Sequence, residues 1–233
     1  MSEDAIPFPV RFHERVFVGG PSESGKSELL NVMFSQFRCQ RLLYDSKGHE
    51  FTIAGVEPVS DPAAIDWSQP IIHYVTSTTE VAEADAVFQQ AEKVPDLLVC
   101  VHELGDLCEY HTNKTPQSVN RYLAQGGAHG RGFLGGSQEP VDMPKRAKKE
   151  INHAYTMAPA MSRAHLDEIG SIVGVPGAEM EKELHELMSE HGPHSFIYWP
   201  KGALQEPTSW GPLPDWLRSS NVVQRRLRHA RER

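Results

Sequence analysis

The chain is poor in cysteine: Cys39, Cys100 and Cys108 are all it has, an odd number with no C-x-x-C pair among them. That excludes a disulfide-stapled scaffold and a cysteine zinc site, and it predicts a reducing, cytoplasmic setting. No apolar stretch approaches the length of a membrane span, and the first residues lack the basic-then-apolar layout of a signal peptide, so no membrane-spanning segment is expected. An excess of positive charge is missing too. The formal net charge of −8 argues against a protein that coats nucleic acid non-specifically. Internal repeats and low-complexity tracts are also absent.

What remains is the composition of an ordinary soluble domain, 39% hydrophobic and 23% charged over 233 residues, enough for one α/β unit with a sizeable core. The charge is unevenly spread. From Trp216 to Arg233 six arginines (Arg218, Arg225, Arg226, Arg228, Arg231, Arg233) face a single acid, Glu232. A second basic cluster is Lys145, Arg146, Lys148 and Lys149. Each reads equally as a solvated helix face or as a contact for phosphate backbones or an acidic partner.

The most informative segment is Gly20-Pro21-Ser22-Glu23-Ser24-Gly25-Lys26-Ser27, which fits G-x-x-x-x-G-K-[ST]. In such a loop, backbone N–H groups curl around phosphate oxygens, and glycine permits the close approach and unusual dihedrals. Lys26 would reach the β- and γ-phosphates, and the Ser27 hydroxyl would ligate Mg²⁺. The strand-like Val16-Phe17-Val18 precedes the loop, and a helical pattern (Leu29, Leu30, Met33, Phe34, Phe37) follows it. That order puts a helix N-terminus at the phosphates. Residues Gly20 to Glu28 are therefore expected to bind a nucleoside triphosphate.

Three regions are expected: an arm over 1–15, a nucleotide-binding domain over 16–205 and a basic tail over 206–233. Within the domain, strands are predicted at 41–44, 71–75, 97–101, 132–136, 154–158 and 195–199. Helices are predicted at 79–93, around Val119, Tyr122 and Leu123, at 145–152, and twice between Ser162 and Ser189. Strands separated by helices imply a mainly parallel sheet, with ligands at the carboxyl ends of its strands. The polar strand ends Asp45, His102-Glu103 and Ser137-Gln138 should then converge beside the phosphate loop.

Hydrolysis of a γ-phosphate requires Mg²⁺, a positioned water and stabilisation of the developing charge. Glu103, ending the apolar run Leu97–Val101, is the candidate to polarise that water and to serve the metal. Gln138 has an amide that could bond the γ-phosphate or the water. His102 is a poor Mg²⁺ ligand beside a carboxylate, and reads either as bonding through a water or as packing locally.

Val99-Cys100-Val101-His102-Glu103-Leu104-Gly105-Asp106-Leu107 resembles the Walker B strand of FtsK/HerA-type DNA translocases, an apolar run followed by D-E-L-A-D-L. Tyr44-Asp45-Ser46-Lys47-Gly48 is similar to the group's I-D-P-K-G element. Leu123-Ala124-Gln125-Gly126-Gly127 is similar to its L-A-Q-x-G, and Ser137-Gln138-Glu139-Pro140 to its T-Q-R-P. Ser162-Arg163 with Leu166-Asp167 faintly resembles a later S-R-T-I-L-D run. Order and spacing agree from about Val16 to Val173. The resemblance implies an α/β, RecA-like P-loop ATPase core using ATP and Mg²⁺, assembled as a homo-oligomeric, hexameric ring that moves double-stranded DNA. In size the chain is closest to the genome-packaging ATPases of tailless, membrane-containing viruses. That would add capsid or membrane-embedded vertex proteins as partners, and host cytoplasm or the virion as location.

Departures from the pattern are informative. His102 replaces the Walker B aspartate, Glu139 stands where arginine is common, and Gly127 occupies another frequent arginine position. A ring ATPase can insert an arginine from the neighbouring subunit, and Arg131 and Arg163 are the candidates. Lys145, Arg146, Lys148 and Lys149 are candidate DNA contacts. Two other readings stay open: a nucleotide-binding assembly factor whose hydrolysis is impaired by His102, and a GTPase or small-molecule kinase. The latter has a D-x-x-G at Asp45–Gly48 and Asn113-Lys114, but Pro116 stands where N-K-x-D needs its aspartate.

Overall fold

The computed structural model describes residues 8–47, 51–78, 81–108, 114–139, 145–201, 206–219 and 221–225. Its elements run β1 (Arg15–Gly19), α1 (Lys26–Gln36), β2 (Gln40–Asp45), β3 (Phe51–Ile53), β4 (Ile71–Val75), α2 (Val81–Ala91), β5 (Leu97–Val101), α3 (Gln117–Gln125) and β6 (Gly132–Ser137). They continue with α4 (Lys145–Glu150), β7 (His153–Met157), α5 (Arg163–Val173), α6 (Gly177–His191), β8 (Phe196–Pro200), β9 (Thr208–Trp210), α7 (Asp215–Ser219) and β10 (Val223–Arg225).

One eight-stranded sheet has the order β4-β2-β5-β6-β1-β7-β8-β9. Its first six strands are mutually parallel, and β8 and β9 are antiparallel additions. The expected α/β class with a mainly parallel sheet is what is found. The reversal of β8 follows from the connection before it. A single helix after β7 would return the chain to the amino edge for another parallel strand. Here α5 is followed by α6, so the chain comes back to the carboxyl edge and β8 runs the other way.

Both faces of the sheet are covered, which is why the central strands are apolar throughout. The period-2 alternation sorts their side chains into two cores. Phe17, Leu97, Val99 and Val101 pack with α2, α3, α5 and α6 on one face. Val16, Val18, Leu98 and Cys100 pack with α1 on the other, together with Phe51, Ile53, Leu213, Leu217 and Val223. The second face thus has one long helix, completed by β3, α7 and β10. The β10 strand pairs antiparallel with β3 in a small sheet of its own. Residues 206–225 therefore contribute a strand to the main sheet, a helix and a covering strand. Among the described residues no helix is long and apolar enough to cross a membrane.

Gly132 marks where the entering arm crosses the sheet. A Cβ there would lie 1.5 Å from the carbonyl oxygen of Phe12, so only glycine fits.

Candidate active site

The loop between β1 and α1 is built as the motif requires. Gly25 takes φ +97° immediately before α1 begins, and Glu23 takes φ +61°. These left-handed residues turn the chain sharply, leaving backbone N–H groups at the helix start for an anionic ligand. Lys26 is buried, and its Nζ donates to the Pro21 carbonyl at 2.9 Å. Burial pushes its pKa down to about 8; Glu103 pulls against this and Lys47 adds to it. The Ser24 hydroxyl is buried without a hydrogen-bond partner, an orphaned polar atom inside the loop. Ser27 and Glu28 form the first turn of α1, where Glu28 accepts an ion pair from Arg218 at 3.3 Å.

The carboxyl ends of β2, β5 and β6 meet beside this loop. Ser137 links them. Its carbonyl accepts the Gly20 N–H at 3.3 Å, and its hydroxyl donates to Glu103 Oε1 at 2.7 Å. The Gln138 N–H donates to the other oxygen of Glu103 at 3.2 Å. The Glu103 carboxyl is raised above the usual range, first by burial and then by Asp106. The bonds from Ser137 and Gln138 and the charge of Lys47 oppose that rise. Asp106 is likewise raised by burial, against a hydrogen bond from Ser46 Oγ and the charge of Lys47.

His102, in the place of the Walker B aspartate, lies on the α1 face and is fully packed. Its Nε2 is 2.6 Å from Asn31 Oδ1 on α1, and its ring lies against Phe51 of β3 with centroids 4.1 Å apart. Beside it Asp45 is buried, with His73 Nε2 at 3.4 Å from Asp45 Oδ2. Burial works to raise the Asp45 pKa, but the hydrogen bond and charge of His73, with His102 and the Lys47 N–H, hold it below the ordinary value.

The remaining expected residues are spread more widely. Arg163 opens α5 at the same edge of the sheet, paired with Asp167 at 2.8 Å and Glu181 at 3.5 Å. Arg131 precedes β6 at the opposite, amino edge, where its Nε donates to the Val94 carbonyl at 3.1 Å. Gly127 is at that edge too, under the guanidinium of Arg15: a Cβ there would lie 2.8 Å from Arg15 Nη1. Lys148 pairs with Glu168 at 2.7 Å, and the Lys149 carbonyl accepts from Lys201 Nζ. The side chains of Lys145 and Arg146, and residues 226–233 with four of the tail arginines, lie outside the described residues, as do Gly48, Asn113 and Pro140.

Mg²⁺ is held by one or two carboxylates together with phosphate oxygens and waters. The residues here suit that pattern: the Ser27 hydroxyl and Glu103 are oxygen donors, whereas His102 has Nε2 on Asn31 and Nδ1 buried without a partner. Among the described residues no cluster of three His, Cys, Asp or Glu side chains is disposed to hold a metal unaided. Asn31, His73, Asp106 and Lys47 belong to the site as well. Asp106 and Lys47 stand inside segments likened to the translocase motifs but were given no role there, whereas nothing in the motifs points to Asn31 or His73.

No protein-family model matches the chain, and no curated protein matches its sequence. Solved structures do match. The genome packaging NTPase B204 from Sulfolobus turreted icosahedral virus 2, in complex with AMPPCP, has a TM-score of 0.70 at 14% identity, covering 88% of this chain and 100% of that one. The N-terminal domain of zonular occludens toxin from Neisseria meningitidis has a TM-score of 0.50 at 14% identity, covering 88% of this chain and 97% of that one. Thermomonospora curvata EccC (ATPases 2 and 3), in complex with a signal sequence peptide, gives 0.52 at 15% identity over 89% of this chain and 40% of that one. The chain therefore has the fold of the P-loop NTPases, and the resemblance to genome-packaging ATPases drawn from its motifs holds at the level of that fold.

Proposed function

We propose that the protein is an ATPase whose hydrolysis drives double-stranded DNA through a ring of its own copies, most simply to package a viral genome. The observation that carries the reading is Ser137. One residue fastens the phosphate loop, through its carbonyl, to the carboxylate suited to activate water, through its hydroxyl. Phosphate binding and water activation are thereby held in one rigid frame. The likeness in fold to the genome packaging NTPase B204 supports the same reading.

Lys26 would exchange the Pro21 carbonyl for the β- and γ-phosphates, which restore the charge that burial disfavours. Glu103, with both oxygens fixed, would orient the attacking water and take its proton; the raised pKa makes it a stronger base than an ordinary glutamate. The Gln138 amide follows directly and would bond the γ-phosphate or the water. Bound Mg²⁺, held by Ser27, phosphate oxygens and waters, would supply charge neutralisation at the γ-phosphate. An arginine from a neighbouring copy would add positive charge in the transition state. Arg163 stands at the correct edge of the sheet for this, and Arg131 would serve only if the neighbour presents its amino edge. Lys145, Arg146, Lys148 and Lys149 remain the proposed DNA contacts.

The test is ATP hydrolysis with and without double-stranded DNA, alongside mass measurement in a nonhydrolysable analogue. DNA should stimulate hydrolysis, added salt should weaken the DNA effect, and the analogue should favour a closed oligomer. Lys26→Ala should abolish hydrolysis; an unchanged rate in that variant would refute the site. A second reading has its own observation. His102 has Nε2 on Asn31, its ring packed on Phe51 and Nδ1 buried without a partner, so no carboxylate stands at this position. A nucleotide-binding assembly factor with impaired hydrolysis would show tight ATP binding, no phosphate release, and a gain of hydrolysis in His102→Asp.

A further inference from the structure

The strand order gives the nucleotide site a direction. β1, which carries the phosphate loop, has β6 and then β5 on one side, and β7 and then β8 on the other. Glu103 and Gln138 lie just past the ends of β5 and β6. A triphosphate seated with its γ end towards them must leave the loop, nucleoside last, on the β7–β8 side. Because α6 brings the chain back to the carboxyl edge, the turn between α6 and β8 lies on that side, and at its tip is His194.

Several observations set His194 apart. Its backbone takes φ +69°, a left-handed conformation that residues with a side chain rarely adopt. The turn around it is tightly fastened. The Gly192 N–H donates to the Met188 carbonyl at 2.9 Å, and Ser195 Oγ donates to the Gly192 carbonyl. The Ala158 N–H, just past β7, donates to the Ser195 carbonyl at 2.8 Å. This fastened turn presses the imidazole against the phosphate loop. A side chain begun at Gly25 would lie 3.3 Å from His194 Nδ1 and 3.2 Å from Met157 Cε. His194 is nonetheless exposed, and among the described residues its ring makes no hydrogen bond or ion pair. An unfavourable backbone thus holds an unengaged aromatic ring beside the residue that precedes Lys26, where the buried Met157 also approaches. Backbone strain held in place by its surroundings is characteristic of ligand clamps.

We propose that His194 is a nucleotide-contacting residue, its imidazole packing against the ribose and base of ATP where the nucleoside leaves the phosphate loop. The inference rests on the reading of that loop as an ATP site and names the group that holds the other end of the ligand. The ring would offer a flat face to the base and a nitrogen that can hydrogen-bond a ribose hydroxyl. Contact of this kind adds affinity for any adenine nucleotide without touching the reacting phosphate, so it belongs to binding and not to turnover.

The experiment compares wild type, His194→Gly and Lys26→Ala by calorimetric titration with two probes, ATP and inorganic tripolyphosphate. Glycine accepts the left-handed backbone freely, so the turn and the loop survive the substitution. His194→Gly should bind ATP about tenfold more weakly, the scale of one lost base-stacking contact, while its affinity for tripolyphosphate stays at the wild-type value. ATP affinity within about twofold of wild type would overturn the proposal. An equal loss for both probes would also overturn it, since His194 would then shape the loop and not hold the nucleoside. The ATP-site reading fails separately, through wild type binding neither probe or Lys26→Ala binding ATP as well as wild type.

Discussion

At the scale of single residues the most consequential is His102. It follows β5 directly, on the face covered by α1, with Asn31 and Phe51 against it. Burial pushes its pKa down to about 3; the negative Asp45 resists this, while Lys47 and His73 add to it. In the unfolded chain the same ring titrates near 6.5. Between those values the unfolded state binds the extra proton, so stability is complete above the upper value and drains away as the pH falls towards the lower. One such group contributes a slope of at most about 1.4 kcal/mol per pH unit. Urea unfolding followed from about pH 7 to about pH 5 should therefore show a steeper loss in wild type than in His102→Asn. Parallel curves would show that His102 is not the group responsible. The histidine and its place in the motif were legible in the sequence. Its engagement was not, because Asn31 is 71 positions away and no pattern links the two.

At the scale of elements, legibility followed length and periodicity. The phosphate-loop strand and helix, the runs 71–75 and 97–101 and the helices α2, α5 and α6 announce themselves through period-2 or helical spacing. β3, β9, α7 and β10 do not, since three to five residues cannot carry a period. Those short pieces do much to cover the face that α1 alone cannot. Leu217 of α7 is fully buried in the core beneath α1, whereas its neighbour Arg218 makes only a half-exposed pair with Glu28. Leu217→Ala should cost about 2–5 kcal/mol of folding stability. Arg218→Ala should cost under about 1 kcal/mol. Chemical denaturation of the two variants measures the difference, and equal effects would mean that α7 is held by charge and not by packing.

At the scale of the whole molecule, the parallel strands gather the phosphate loop, Glu103 and Gln138 at one edge, and leave Arg131 and Gly127 at the other. In the proposed ring the first edge would take charge from a neighbour, and Arg163 is exposed there in ion pairs with Asp167 and Glu181 that a neighbour could reorganise. Subunits that depend on one another in this way should respond sharply to inactive copies. When Lys26→Ala protein is mixed into wild type at constant total concentration, hydrolysis should fall faster than the wild-type fraction. A strictly linear decline would show that each copy works alone.

The pairing of β10 with β3 has a consequence of another kind. Thr52 and Gln224, bonded across it, are 172 positions apart. During synthesis the helix that follows the phosphate loop emerges early, while the segment that seals its outer face is made long afterwards. Until then Leu30, Phe34 and Phe51 have no cover from Leu213, Leu217 and Val223. The nascent chain thus carries an open apolar face through most of its translation, a surface that chaperones recognise and aggregation exploits.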